Sequence, residues 1–233
     1  KRVVDMRAGG SRAERCTTSG SAPRTPTVEN HSEHEAVFAS DSLLQSLDLY
    51  LPMPMPAKGE ASTREPRPVL VMIHGGAWKG GDKANAGVIL PKAEWAVDLG
   101  WVFASVNYRL SPAVQHPDHA MDVAAAIAWI RDHASEFDAD PERIVVMGHS
   151  AGANLAALVA TDRRLLGAHG MEPADLAGVV LLDGAGYDVP WVVEQLPPGS
   201  VRTRMFEDAF GPRWEEIPSD RKSTRLNSSH TVI

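Results

Sequence analysis

Short runs of β-branched and aliphatic residues alternate with small-residue, helix-forming stretches along most of this chain. Val69-Leu70-Val71-Met72-Ile73, Trp101-Val102-Phe103-Ala104-Ser105-Val106, Arg143-Ile144-Val145-Val146-Met147 and Leu176-Ala177-Gly178-Val179-Val180-Leu181-Leu182 are apolar almost throughout. That is the pattern of strands buried on both faces. Between them, residues 88–99 are predicted to be a helix that Gly100 ends at its C-cap. A second helix is predicted from Pro117, whose ring suits a first helical position, with Asp118 favourable to the dipole and Val123, Ile127 and Ile130 on the buried face. Ala153 to Ala160 are helix formers, small or aliphatic apart from Asn154. Upstream, Glu35–Ala39 and Gln45–Tyr50 read as short strands, and Pro52, Pro54 and Pro56 then exclude a regular element. Residues 190–216, with Trp191, Phe206, Phe210 and Trp214, read as helical and amphipathic. Strand and helix in alternation predict an α/β protein with a mostly parallel sheet covered by helices on both faces.

Bulk properties narrow the function classes. At 233 residues the chain suits one domain, and 43% hydrophobic residues supply a core. No apolar run approaches the ~18 residues of a membrane-spanning helix, so no membrane span is expected. The single cysteine, Cys16, excludes an internal disulfide, which fits a cytoplasmic location. A formal charge of −7 argues against a nucleic-acid partner. That charge is uneven: residues 1–30 carry a net +3, residues 31–219 a net −12 and the last 14 residues +2. Residues 1–30, rich in Arg, Ser, Thr, Gly and Pro, are expected to be a disordered or spurious extension. Residues 31–219 are expected to be the folded domain. Asp220 to His230 have no apolar period and resemble the translation of a DNA-sequencing ligation adapter, so residues 220–233 are expected to be foreign to the protein and the domain incomplete.

Two stretches carry chemistry. Gly148-His149-Ser150-Ala151-Gly152 has the form G-x-S-x-G and sits between a predicted strand and a predicted helix. In that context the motif is a nucleophile elbow, a turn tight enough to expose a strained serine hydroxyl and to exclude a side chain at positions 148 and 152. Ser150 is therefore the expected catalytic nucleophile. His74-Gly75-Gly76-Ala77-Trp78 ends another apolar strand, where backbone amides of a glycine-rich loop can converge on an oxyanion. The amides of Gly76, Ala77 and Ala151 are the expected oxyanion hole. His74 precedes the serine, out of the order Ser–acid–His, and is expected to shape this loop. Trp78 either lines an acyl pocket or packs beneath the loop. His116, Asp118 and His119 have a spacing that could face a metal, but a helix start explains them better, and no metal or cofactor is expected. Asp138 and Asp140 fit a turn at the sheet edge opposite the elbow, and His149 is expected to point away from the serine hydroxyl. Asp183, at a strand's C-terminal end, is by topology a possible acid.

Leu47-Asp48-Leu49-Tyr50-Leu51-Pro52, His74 to Trp78, Val106-Asn107-Tyr108-Arg109-Leu110-Ser111-Pro112, Asp140-Pro141-Glu142-Arg143-Ile144 and Gly148 to Gly152 occur in one order. Together they resemble the α/β-hydrolase superfamily, within it the carboxylesterases related to hormone-sensitive lipase, over roughly residues 45–190. H-G-G-A-W in place of H-G-G-G is similar to a bacterial branch that includes feruloyl-esterase-like and formamidase-like enzymes. The resemblance implies a serine ester hydrolase acting through an acyl-enzyme on small esters, with an amide-cleaving enzyme or an inactive fragment as alternatives. It also implies an acid about a hundred residues past the serine, so that Asp183 supports the site floor. The catalytic Asp and His would then lie beyond position 219, in strands missing from this text.

Overall fold

The computed structural model describes residues 31–53, 65–184 and 186–211. Six strands form one sheet: β1 (His31–Val37), β2 (Ser46–Pro52), β3 (Arg67–Ile73), β4 (Val102–Val106), β5 (Ala139–His149) and β6 (Gly178–Leu182), in spatial order β1-β2-β4-β3-β5-β6. β1 and β2 pair antiparallel, as do β2 and β4, whereas β4, β3, β5 and β6 run parallel. The expectations for residues 1–30 and 220–233, and for Pro54, Pro56 and Trp214, lie outside the described residues.

Side chains alternate across the sheet and build two cores. Val69, Val71 and Ile73 of β3 join Val102, Ala104 and Val106 of β4 beneath α2 (Asp118–His133) and α3 (Ala151–Thr161). Leu70 and Met72 face the other way and meet Tyr50, Phe103 and α1 (Ala86–Asp98) through Ile89, Ala93, Ala96 and Val97. Helices therefore cover both faces, as the two-sided hydrophobicity of the strands requires. Val123, Ile127 and Ile130 of α2 are all fully buried. Among the described residues no helix is long and apolar enough to cross a membrane.

Some boundaries differ from the sequence reading. β1 starts four residues earlier, because pairing His31 with Pro52 recruits polar residues that hydrophobic periodicity cannot see. β5 likewise reaches back to Ala139, which pairs with Arg67. Pro117 is the N-cap of α2, one residue outside its expected helical place, and Leu99 caps α1 while Gly100 follows at φ +81°. The helical stretch expected over 190–216 holds, among the described residues, two helices, α5 (Val189–Glu194) and α6 (Val201–Phe210), since Pro197-Pro198-Gly199 cannot continue a helix. The short α4 (Arg163–Gly167) follows α3.

Candidate active site

The carboxyl ends of β3, β5 and β6 are brought level by register: Ile73 is opposite Gly148, and His149 opposite Leu182. His74 to Gly81, Ser150 and Asp183 therefore emerge side by side at one edge. Ser150 links β5 to α3 at φ +52°, ψ −116°, and its amide donates to the Leu182 carbonyl at 2.9 Å. Its carbonyl accepts from Ala153 and Asn154, which starts the helix at once. The flanking glycines are sterically obligatory. A Cβ on Gly148 would fall into the Gly152 carbonyl, and one on Gly152 into the carbonyls of Ile73 and His74. The elbow is thus closed on both sides by backbone, as its motif implies.

The neighbouring loop is strained too. Gly76, Ala77 and Trp78 all have positive φ, at 128°, 56° and 57°. This left-handed turn closes with the amides of Lys79 and Gly80 donating to the Gly76 carbonyl. The amides of Gly76 and Ala77 are not used by those bonds. Ala151 is the first residue of α3, so its N–H has no partner within the helix. Gly75 presses the loop onto the elbow: a Cβ there would stand 3.2 Å from the Ser150 Cβ and 2.9 Å from the His149 carbonyl. Ser150, Ala151 and the loop carrying Gly76 and Ala77 are therefore neighbours.

The other candidates take separate places. His74 is buried, with Nδ1 2.8 Å from the Gly75 carbonyl oxygen and its ring stacked 4.5 Å from Tyr108, whose hydroxyl donates to the His74 carbonyl. Burial lowers its pKa, against the opposing pulls of the Gly75 carbonyl, Asp82 and Asn107. It braces the loop. Trp78 is fully buried against Phe206 and Phe210 of α6, at ring distances of 5.4 and 5.0 Å, so it packs beneath the loop. Its indole Nε1 lacks a hydrogen-bond partner. Asp183 is exposed, at φ +47°. Asp138 turns the chain into β5 at φ +58°, and Asp140 pairs with Arg143 at 2.6 Å, both at the end of the strand away from Ser150. His149 is exposed.

One serine–imidazole hydrogen bond competes on paper with this site. Ser111 Oγ lies 3.0 Å from His119 Nε2, with Asp122 near by. Ser111 is only 5% exposed and His119 1%, and the hydroxyl is already engaged, donating to the Val114 carbonyl. Burial lowers the His119 pKa to about 4, which keeps the ring neutral. His116 packs its ring against Phe210. Among the described residues no imidazole is hydrogen-bonded to Ser150.

Sequence reasoning missed a polar cluster behind the loop. Lys83 is 7% exposed and Asp48, between Leu47 and Leu49 on β2, is 4% exposed; the two are directly paired. The available signal was a carboxylate inside an apolar strand, which demands a buried partner.

A twisted, mostly parallel sheet with a strained serine at a strand-to-helix turn and a glycine loop beside it defines an α/β-hydrolase. Solved structures bear this out: a bacterial heroin esterase superposes with a TM-score of 0.50 at 30% identity, covering 64% of this chain and 44% of that one. The chain belongs to the BD-FAE family, whose model matches residues 47–172. Among its relatives in Mycobacterium tuberculosis, the probable carboxylic ester hydrolase LipM is 44% identical over 93 residues, which are 40% of this chain and 21% of LipM. Esterase LipC is 37% identical over 141 residues, 58% of this chain and 33% of LipC. The chain thus spans about a fifth to a third of the length of these curated relatives.

Proposed function

We propose that this protein is a serine carboxylic-ester hydrolase acting on small or short-acyl esters through an acyl-enzyme. The observation that carries the reading is Ser150 held at φ +52° in an elbow that Gly75 of the neighbouring loop touches. Strain of this kind costs about 1–3 kcal/mol per residue and persists where the surroundings enforce it, typically at functional sites. The esterases among its relatives supply the chemistry class.

In this reading Ser150 Oγ attacks the ester carbonyl and the carbonyl oxygen becomes an oxyanion. The amides of Gly76, Ala77 and Ala151 hold it, each such donor lowering the barrier by about 2.7–4 kcal/mol. Collapse expels the alcohol and leaves an acyl-Ser150, which water hydrolyses to acid and free serine. The steps consume only ester and water, so they call for no cofactor or metal. An imidazole must take the serine proton and return it to the alcohol. None does so among the described residues, so the base and its carboxylate partner belong outside them, and Asp183 supports the site floor.

The test is turnover of this domain in the uninterrupted protein, read past position 219 so that the base is present, on p-nitrophenyl acetate and butyrate, beside N-formyl amides and a peptide p-nitroanilide. Ester turnover at least tenfold above amide turnover, lost by ~10³-fold or more in Ser150→Ala with unchanged folding, is the expected result. Preferential amide cleavage, or activity that survives Ser150→Ala, overturns the reading.

A further inference from the structure

The buried lysine behind the glycine loop has no part in the steps above, yet it bonds to three strands of the sheet and to Asn107 just beyond β4. Cross-strand register aligns Glu35 of β1 with Asp48 of β2, Asp48 with Ser105 of β4, and Ser105 with Met72 of β3. Lys83 lies over this row. Its Nζ donates to Asp48 Oδ1 and, at 2.9 Å, to Glu35 Oε1; its carbonyl accepts from Ser105 Oγ at 2.8 Å, and its amide donates to Asn107 Oδ1 at 2.7 Å. Asn107 Nδ2 also reaches Asp82 Oδ2 at 3.3 Å. Burial alone would lower the lysine's pKa, but its bonds to the two carboxylates reverse this and raise it. The ammonium stays charged.

These contacts fix the returning limb of the loop that begins at His74. The outgoing limb is held by the His74 ring and Tyr108. Between the two anchors lie eight residues, Gly75 to Asp82, and the left-handed turn at Gly76, Ala77 and Trp78 among them is unfavourable without support. Gly81 closes the circuit at φ +100°, where a Cβ would strike the His74 ring. A loop strained in its middle keeps its shape only if both ends are fixed.

We infer that Lys83, clamped by Asp48 and Glu35, is a positioning residue that keeps the Gly76 and Ala77 amides converged on the oxyanion. The inference rests on the ester-hydrolase reading for its catalytic arm, and on loop geometry for its other arm. Lys83 acts through the backbone and does not touch substrate.

Removing the lysine alone would strand Asp48 as a buried charge and endanger folding. The variant of choice is therefore Asp48→Asn with Lys83→Met, which removes both charges and keeps side-chain volume; Glu35, with a side chain 66% exposed, is left to water. Lys83→Arg is the conservative companion. In the same uninterrupted protein the double variant is expected to melt cooperatively and to exchange the amides of residues 75–83 at least tenfold faster, with those of β5 and α3 unchanged. On p-nitrophenyl acetate kcat should fall by about 10²-fold with KM within threefold, the scale of one lost oxyanion donor, and Lys83→Arg should recover part of it. A wild-type kcat in the double variant, or loop exchange no faster than in the parent, overturns the inference. If the uninterrupted parent, base included, turns over no ester, the ester reading fails by itself, and exchange at residues 75–83 still decides whether Lys83 fixes the loop.

Discussion

Lowering the pH should unfold this domain partly through His119. The ring is buried beside Ser111, and because the Ser111 hydroxyl donates to Val114, its oxygen accepts from a neutral Nε2–H. A second proton must sit on Nδ1 in a desolvated place that His116 and Arg109 disfavour and Asp122 only partly offsets. The pKa is lowered to about 4 from an ordinary 6.5. Its sign follows directly: the unfolded chain binds this proton more readily, so stability is fully present above about pH 6.5 and is lost as pH falls towards 4. Full protonation costs about 3 kcal/mol, and the share already lost at pH 5 is about 2 kcal/mol. Urea melts of wild type and His119→Gln at pH 7.5 and 5.0 isolate it, since glutamine can still donate to Ser111 but does not titrate. Burial lowers the pKa of His74 and His116 as well, and their contributions remain in both proteins. The loss between the two pH values should be about 2 kcal/mol smaller in His119→Gln. Equal losses in the two proteins would refute the reasoning.

Two further substitutions probe the frame around the site. Gly152→Ala should cost at least ~3 kcal/mol in a urea melt, because its Cβ meets the backbone carbonyls of Ile73 and His74, which have no room to yield. Arg109→Ala should cost about 3 kcal/mol by the same measurement: the Asp122 side chain, 3% exposed, would keep its bonds from the Gln45 amide and from the backbone N–H of residue 109 but lose the bidentate guanidinium that balances its charge.

The legible parts of the sequence were those in which one local rule acts alone. Val69 to Ile73 and Ile144 to Met147 have no polar residue to set a face, so they had to be buried strands, and both lie side by side in the sheet. Gly148 and Gly152 announced backbone contact, and both meet carbonyls. What escaped reading depended on distant partners. Asp48 looks like a misplaced charge in Leu47-Asp48-Leu49 until Lys83, 35 residues on, lies over it. Ser111 and His119 become partners only when the turn into α2 brings them together. Trp78 allowed two readings from sequence because Phe206 and Phe210, which cover it, are 128 and 132 residues away. Polar His31 to Glu33 became strand through pairing with β2, a long-range effect absent from local composition.

The distribution of backbone strain points, independently of any motif, to the same end of the molecule as the proposed site. Five non-glycine residues among those described have positive φ: Ala77, Trp78, Asp138, Ser150 and Asp183. Asp138 is the one at the amino end of the parallel strands, in a turn, and aspartate tolerates this conformation comparatively well. The other four stand at the carboxyl ends of β3, β5 and β6, and alanine, tryptophan and serine have no such tolerance. Parallel strands themselves require no left-handed residue where they end. The strain at this edge is held in place by fully buried Val69, Val71, Ile73, Ile144 and Val146 just beneath it, by the Ser150–Leu182 bond and by the Lys83 row. A packed core that rigid can hold a serine in a conformation it would otherwise leave, and the same rigidity keeps Gly76 and Ala77 beside it. On the proposed reading, nucleophile and oxyanion donors are then set in place before substrate arrives, which is what acyl transfer asks of a protein backbone.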